Sequence, residues 1–553
     1  MKRNRMRHVV LRAPSLAGVV CFLLLSSCGG GSSSPQVSVP PSAHFPQPTP
    51  PAQAPNVFFG LHQSHVAGCP GDTAGLRFPL SDAPAGSFRI WSTCKTQWAD
   101  MDLGGGLYVF SGLDSILQAL KAKGINDVFL SLGRTPNWIS SNPTDPLCDG
   151  AGVNSQPGGM CDPPIDLNSD GTGTDLAWRN FVTALLQHVT TPGYSSTHAH
   201  ISMYEIWSEF HRSDTVGVPG TACSVPGSGT GIPCSYRGTF AQMLRMTQDL
   251  RCIVKGIASD PITGLGLTCG TSGYVASRLD PTALVMEGDS GGSPLDNGNV
   301  TMQNYLYCNA GPAANSPCPW SSSNPLGSNA VDVISGHTYF VGTVPEDLMS
   351  SIADQKARLS AADAAKPYIT GEGSWGKNNH VHDPLLEGAF VARWYLMLKA
   401  LNVDRGYWFA WDEFEATGSG GLWAPTEQNF PPVECPLADS IGGFYCTGGL
   451  AYYGIVDWIN NATVTVSCPG GCSNPIAGVF TATVTRPGGY QAEIVWDSTP
   501  TRLCDSTVCG ATPLPNAPAF TASRWRDVFG NITSGAPTMI GASPIIIENM
   551  AAP

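Results

Sequence analysis

Short apolar runs rich in β-branched and aromatic residues recur along the chain, most of them followed by a stretch whose apolar positions repeat every three to four residues. The strand-like runs fall at 57–62, 87–91, 127–133, 201–209, 265–269, 332–339, 367–372 and 405–412. Eight of them is the number that closes a (β/α)8 TIM barrel, which the pattern predicts over residues 56–460. Helix signals lie between the runs. In 111–124, Leu113, Ile116, Leu117 and Leu120 follow i, i+3, i+4, i+7, and Gly124 stands where a C-cap belongs. The pattern returns in 175–189 through Leu176, Phe181, Val182, Leu185 and Leu186, and again in 384–401 and 450–459. After Asn460 the character changes: 462–467, 478–485, 490–496 and 544–548 alternate or run apolar between Pro/Gly turns, which predicts a small β-sandwich over 461–553. No period of 20–50 residues recurs, which argues against a solenoid or propeller.

The first residues break from this pattern. A basic stretch is followed by an apolar run from Ala17 to Leu25, too short to span a membrane stably, and then by Leu25-Ser26-Ser27-Cys28. Small residues before a cysteine resemble the lipobox of bacterial lipoproteins. That resemblance implies a signal peptide over 1–28, acylation of Cys28, and an exported protein that touches a membrane only through its lipid anchor, facing the periplasm or the cell surface. Residues 29–55 hold eight prolines and no Asp, Glu, Lys or Arg, the composition of a tether. Five of the 29 basic residues and none of the 42 acidic ones lie in the leader, so the exported part has a net charge of −18. Such a surface disfavours nucleic acid as a partner. Sixteen of the 18 cysteines lie beyond the leader, and an even number in an exported chain favours disulfides. Their order suggests neighbours joined across short loops: 69–94, 148–161, 223–234, 252–269, 308–318, 435–446, 468–472 and 504–509.

The candidate chemistry sits at two strand ends. Alternation along 201–209 places Glu205, Trp207 and Glu209 on one face, with Glu209 at the end that opens into a barrel's cleft. The segment Thr370-Gly371-Glu372-Gly373 ends the seventh run in the same way. One carboxyl that donates a proton to a leaving oxygen, and one that attacks or stabilises an anomeric carbon, are what glycoside hydrolysis requires.

Several short motifs extend this. Phe88-Arg89-Ile90-Trp91, Arg134-Thr135-Pro136-Asn137-Trp138, Trp207-Ser208-Glu209, Ser335-Gly336-His337-Thr338-Tyr339, Gly371-Glu372-Gly373-Ser374-Trp375 and Tyr407-Trp408-Phe409-Ala410-Trp411 stand in the order and spacing of clan A glycoside hydrolases. The chain most resembles the family-39 type. The resemblance implies a retaining hydrolase of a poly- or oligosaccharide with no cofactor or metal, in which Glu209 is acid/base and Glu372 nucleophile. It further implies Arg89 as support for the nucleophile, Trp138 as a sugar-stacking aromatic, and His62, Trp207, Ser208, His337, Tyr339, Trp375, Trp408 and Trp411 as substrate-binding residues. One position departs from the pattern: where the clan has Asn before the acid/base Glu, this chain has Ser208, which reaches less far and makes fewer hydrogen bonds. That departure motivates an alternative, a barrel without turnover that binds a cell-surface polysaccharide.

Three further signals are weaker. Asp166-Leu167-Asn168-Ser169-Asp170-Gly171 matches the opening of a calcium loop, but its twelfth position is Ala177, and Thr174 or Asp175 is placed to cap the following helix. His198-Ala199-His200 and His380-Val381-His382 lack a third ligand at metal spacing and read as exposed loop residues. Gly288-Asp289-Ser290-Gly291-Gly292 resembles a serine-protease nucleophile segment, which the α/β periodicity contradicts.

Overall fold

The computed structural model describes residues 45–51, 53–62, 83–148, 159–214, 216, 223, 233–256, 279–291, 298–307, 326–340, 343–375, 383–412, 420–424, 435–440, 442–499 and 512–550. Residues 45–553 form one compact unit. Its first part is a TIM barrel of parallel strands: β1 (Phe59–His62), β2 (Ser87–Ile90), β3 (Asp127–Ser131), β4 (Ile201–Glu205), β5 (Leu284–Met286, resuming at Ser290–Gly291), β6 (Ile334–His337), β7 (Tyr368–Gly373) and β8 (Arg405–Phe409). Neighbours pair in sequence order, and β8 returns to β1 through Leu61 opposite Trp408. The fifth strand is broken. Its first half pairs with β4 and its second with β6, and a single bridge from Met286 to Val333 joins the two sides across the break. The fifth strand expected at 265–269 lies outside the described residues.

Alternation sorts the barrel's side chains. Phe129, Met203, Met286, Val333, Ile369 and Tyr407 point inward and form a closed apolar layer. Above it, the inward positions nearer the strand ends are polar: Arg89, Glu205, Ser335 and His337. The outward residues Phe59, Leu61, Phe88, Ile90, Val128, Leu130 and Trp408 join the core between strands and helices. Those helices include α1 (Ser111–Ala122), α2 (Leu176–Val189), α3 (Phe240–Lys255), α4 (Gly298–Tyr307), α5 (Leu348–Ala357), α6 (Pro384–Ala400) and α7 (Thr447–Ile459). In α1 the expected stripe Leu113, Ile116, Leu117 and Leu120 is fully buried, and Gly124 takes a φ of 78° just past the helix, where a side chain would be strained. Helix α3 opens with a capping box between Thr239 and Gln242.

The cap of α2 differs from expectation. Asp166, ten residues upstream, accepts from the backbone N–H of Leu176 at 2.6 Å and Ala177 at 3.3 Å. Asp175 has turned into the left-handed region and is fully buried, so neither it nor Thr174 performs the capping. The calcium-like loop meets a protein cation: Arg245 donates to the carbonyls of Gly171 at 3.1 Å and Gly173 at 3.4 Å while pairing with Asp249 at 3.0 Å. Of the histidine pair, His198 is buried and stacks on Tyr194 at 3.8 Å, a correction to its reading as exposed, and His200 faces Asp280. The pair at 380–382 lies outside the described residues.

The C-terminal region is a β-sandwich, as the alternation indicated. Its main sheet is antiparallel, in the order β9 (Thr463–Ser467), β10 (Val479–Arg486), β11 (Tyr490–Asp497), β14 (Ile545–Glu548), β12 (Arg524–Asp527) and β13 (Ile532–Ser534). Strands β12 and β13 escaped the sequence reading because Arg524, Arg526 and Asp527 give them a polar pattern; both arginines pair with buried Glu548, and Arg526 also with Asp457. One face, through Phe480, Ala482, Ile494 and Trp496, merges with the barrel's outer core. The other, through Val495, Ile545 and Ile547, lies under a second layer that includes the pair Thr512–Pro513 and Met539–Ile540. The end of the expected tether is also engaged: Phe45 meets Phe529 edge-on at 5.3 Å, and Asn460 donates to the carbonyl of Ala54 at 3.1 Å.

A buried charge joins barrel to sandwich. Arg393 of α6 donates to Glu346 at 2.7 Å, and Trp496 of β11 donates to the same carboxylate oxygen at 2.8 Å, with Arg393 and Glu346 both fully buried. Glu346→Ala strips that guanidinium of its carboxylate and should destabilise the protein by about 3–5 kcal/mol. Denaturant unfolding should still show a single transition for barrel and sandwich; a sandwich that melts separately would contradict the shared core.

Candidate active site

The polar upper layer converges on Arg89, fully buried and resting 5.0 Å above the ring of Phe129 in the apolar layer. Its guanidinium hydrogen-bonds Glu372, Glu205 at 3.2 Å and the hydroxyl of Ser208 at 3.0 Å, and lies 3.3 Å from Asp289. Burial alone would lower its pKa, but Glu372, Glu205 and Asp289 together raise it. The guanidinium is therefore a permanent charge at the floor of the site.

Each carboxylate reaches this floor by a different local device. Strand β4 delivers Glu205 by plain alternation and then ends. Glu209 adopts a φ of 53°, which turns its side chain back over the barrel, while Ser208 forms a bridge to Asp289. The single face expected for Glu205, Trp207 and Glu209 is thus broken: Trp207 is buried away from Arg89, packed edge-on against Tyr236 with its N–H on the carbonyl of Ser235 at 2.7 Å. Strand β7 faces Ile369 inward, so strict alternation would send Glu372 out. An extra residue in β7, visible as a register shift between the Thr370–Gly406 and Gly373–Trp408 pairs, turns it in. Gly371 is required there, because a Cβ would collide with the carboxylate of Asp289.

His337 stands between the carboxylates. Its Nδ1 lies 3.0 Å from Glu209 and 3.5 Å from Glu372, and its Nε2 lies 2.9 Å from Asp289. Tyr339 donates to Glu372 at 2.6 Å, and Arg212 donates to Glu209 at 2.6 Å. Burial opposes charge on Glu209, Asp289, His337 and Glu205, yet their partners overrule it in three of the four. Arg212 and His337 hold Glu209 well below the usual carboxylate range, and Glu372, Asp289 and Glu209 raise His337 well above an ordinary histidine. His337 and Arg89 likewise keep Asp289 low. Glu205 is the exception: burial and the neighbouring Asp289 push it well above the usual range. His62, with burial, Arg89 and His337 all acting against its protonation, is lowered well below the ordinary value and stacks as a neutral ring on Phe409 at 4.6 Å.

The site thus gathers Arg89, Ser208, Glu209, His337, Tyr339, Glu372 and His62. Three donor atoms, one each from Glu209, His337 and Glu372, lie within 4.8 Å of one another. Arg212 and His337 hold Glu209, and Arg89 and Tyr339 hold Glu372, so each of these carboxylates already meets two protein groups. Two other acidic clusters include Cys148 and Cys161 or Cys223 and Cys234, whose sulfurs are spent in disulfides. The pairs 435–446 and 468–472 are also joined as expected, and Cys94 and Cys252 are disulfide-bonded.

The tryptophans divide differently from expectation. Trp408 faces outward from β8 and packs edge-on against Trp394 and Trp375; Trp411 packs among Tyr445, Tyr452 and Tyr453. With Trp207 and Trp375, these rings are at most 2% exposed and present no face to a ligand. Outward alternation from the strand is the reason for Trp408. Trp138 is 49% exposed, pinned by its N–H to the carbonyl of Asp102 at 3.2 Å and backed by Gly104. Trp91, half-buried beside His62, is a second rim aromatic.

Asp289 and Arg212 were missed. The signal for Asp289 was present in Leu284-Val285-Met286-Glu287-Gly288-Asp289, an apolar run ending in carboxylates like those of strands four and seven. Arg212 carries no such signal, since its reach depends on the turn at Glu209.

No family model and no curated protein matches the chain. Similar solved structures include a conserved exported protein from Bacteroides fragilis (11% identity, 84% of this chain and 88% of that one, TM-score 0.47). Others are a glucosidase from Croceicoccus marinus (14%, 90% and 96%, 0.47) and the catalytic domain of the GH30 xylanase C from Talaromyces cellulolyticus (11%, 90% and 98%, 0.44). At such scores and identities the functions of these proteins do not transfer to this chain.

Removing the Arg212 guanidinium should relax Glu209 toward the ordinary glutamate range. In Arg212→Met, the Glu209 side-chain carboxyl, followed by carbon NMR, should titrate at higher pH than in the wild type. An unchanged midpoint would show that Arg212 does not set its charge.

Proposed function

We propose that this protein is a retaining glycoside hydrolase in which Glu372 is the nucleophile and Glu209 the acid/base. The observation that supports this best is the separation of the two carboxylates: an oxygen of Glu209 and an oxygen of Glu372 lie within 4.8 Å of each other. Retaining enzymes hold their carboxyl groups about 5–5.5 Å apart, and inverting ones roughly 6.5–9.5 Å, to admit a water between. Arg89 and Tyr339 both donate to Glu372 and fix its orientation toward the space it shares with Glu209. Glu372 attacks the anomeric carbon, the leaving oxygen takes a proton through Glu209, and a water activated by Glu209 then cleaves the glycosyl ester. No cofactor enters this reading.

The substrate is a poly- or oligosaccharide. Trp138, held rigidly with one face backed and half its surface open, is suited to stack a sugar ring at the rim. The lipobox at Cys28 and the disulfides support an exported, lipid-anchored protein; among the described residues no helix is long and apolar enough to cross a membrane. A barrel from about 56 to 460 followed by the sandwich fits this reading, with the sandwich as a structural buttress for the barrel.

Assay of aryl β-glycosides and cell-surface polysaccharides tests the assignment. Glu372→Gln should abolish hydrolysis. Glu209→Gln should lose about 10²–10⁴-fold on poor leaving groups and far less on activated aryl glycosides. Loss of both distinctions, or binding of a polysaccharide without cleavage by the wild type, would instead favour a binding protein. In that case Ser208→Asn is the substitution that should create activity.

A separate variant addresses the rim. Trp138→Ala should raise KM for an oligosaccharide roughly tenfold, about 1.4 kcal/mol, and leave a single-sugar aryl glycoside unaffected.

A further inference from the structure

Both oxygens of Glu209 face cationic donors, Arg212 on Oε2 and His337 on Oε1, so the resting group is a carboxylate with no proton of its own to give. His337 meets a carboxylate at each ring nitrogen, at 3.0 Å and 2.9 Å. An ionised carboxylate only accepts, and a neutral imidazole has a single N–H, so this geometry calls for a proton on both nitrogens. Asp289 is built to hold that arrangement. It is fully buried, its other oxygen is fixed by the hydroxyl of Ser335, its N–H reaches Glu205 at 2.8 Å, and it sits over Gly371, where no side chain fits.

We propose that Asp289 is a positioning residue that orients His337 as the store of the proton which Glu209 delivers to the leaving group. The proposal rests on the glycosidase reading. In the first step the proton on Nδ1 of His337 passes to Glu209 and from there to the glycosidic oxygen. That oxygen takes the electron pair of the breaking C–O bond as Glu372 bonds the anomeric carbon. In the second step water attacks that carbon, Glu372 leaves with the electron pair of its ester bond, and the water's proton returns through Glu209 to Nδ1. No net proton is gained or lost over the cycle beyond those of the hydrolysed water.

The groups that set the charge on His337 come from every side. Arg89 on β2 opposes it, while Glu209 beyond β4, Asp289 in the break of β5 and Glu372 on β7 favour it; His62 on β1 is held neutral, and Glu205 on β4 is pushed toward its neutral form. Tyr339, two residues on, donates to Glu372, and Arg212 competes for Glu209.

The experiment follows the imidazole nitrogens of His337 in the ¹⁵N-labelled full chain, with its signals identified by their loss in His337→Gln. In the wild type both nitrogens should stay protonated well past the ordinary histidine midpoint of about 6.5. In Asp289→Asn the midpoint should fall by about one unit or more, a tenfold loss of proton affinity. Ser335→Ala removes the hydroxyl that partly neutralises Asp289, so it should move the midpoint upward, and it serves should Asp289→Asn fail to fold. A wild-type His337 that is neutral at pH 7, or a midpoint unmoved by these substitutions, overturns the proposal. These readings need no substrate, so they stand apart from any failure of the hydrolase assignment. Where hydrolysis is observed, the basic limb of kcat/KM should move down with the imidazole midpoint in Asp289→Asn; a limb that stays in place overturns the proton store.

Discussion

One buried guanidinium organises the upper half of the barrel. Arg89 reaches Glu205 of β4, Glu372 of β7 and Asp289 in the break of β5, and the hydroxyl of Ser208 beyond β4. A charge removed from water persists only where partners surround it, and carboxylates crowded together persist only around a cation. Each side of the cluster thus requires the other. The apolar layer of Phe129, Met203, Met286, Val333, Ile369 and Tyr407 seals the cluster from below, so its electrostatics act in a low-dielectric setting.

Much of this was legible in the sequence, because strand alternation and apolar periodicity follow from backbone geometry alone. Seven of the eight barrel strands, the stripe of α1 and four strands of the sandwich rest on that period, and both glutamates were found as carboxylates at strand ends. What escaped reading was wherever the backbone departs from it. The fifth strand, expected at 265–269, lies at Leu284–Met286 and resumes at Ser290–Gly291; its short halves and the interruption at Glu287-Gly288-Asp289 hid it, and with it the carboxylate that faces His337. The extra residue in β7 and the left-handed turn at Glu209 aim the two glutamates at each other, and neither shows in a pattern of apolar and polar letters. The tryptophans erred in the opposite sense: Trp408 and Trp411 stand in a motif suited to a sugar site, yet alternation from β8 sends Trp408 into the helix layer.

The sandwich is not an appendage in energetic terms. Its inner face shares one core with α6 and α7, and Glu346 binds a barrel helix and a sandwich strand with one carboxylate. A barrel cut at Asn460 would take Phe529 from against Gly388 of α6, Val528 from against Gly454 of α7, and Trp496 from Glu346. The geometry of β6 and β7, which hold His337 and Glu372, therefore depends on strands that come later in the chain.

The loop at 166–175 has the opening of a calcium site, yet a guanidinium already lies against the carbonyls of Gly171 and Gly173. A cation supplied by the chain itself is covalently present at fixed stoichiometry. It cannot be chelated, diluted or exchanged, so the loop's hold on the start of α2 and on α3 does not vary with the metal ions around it.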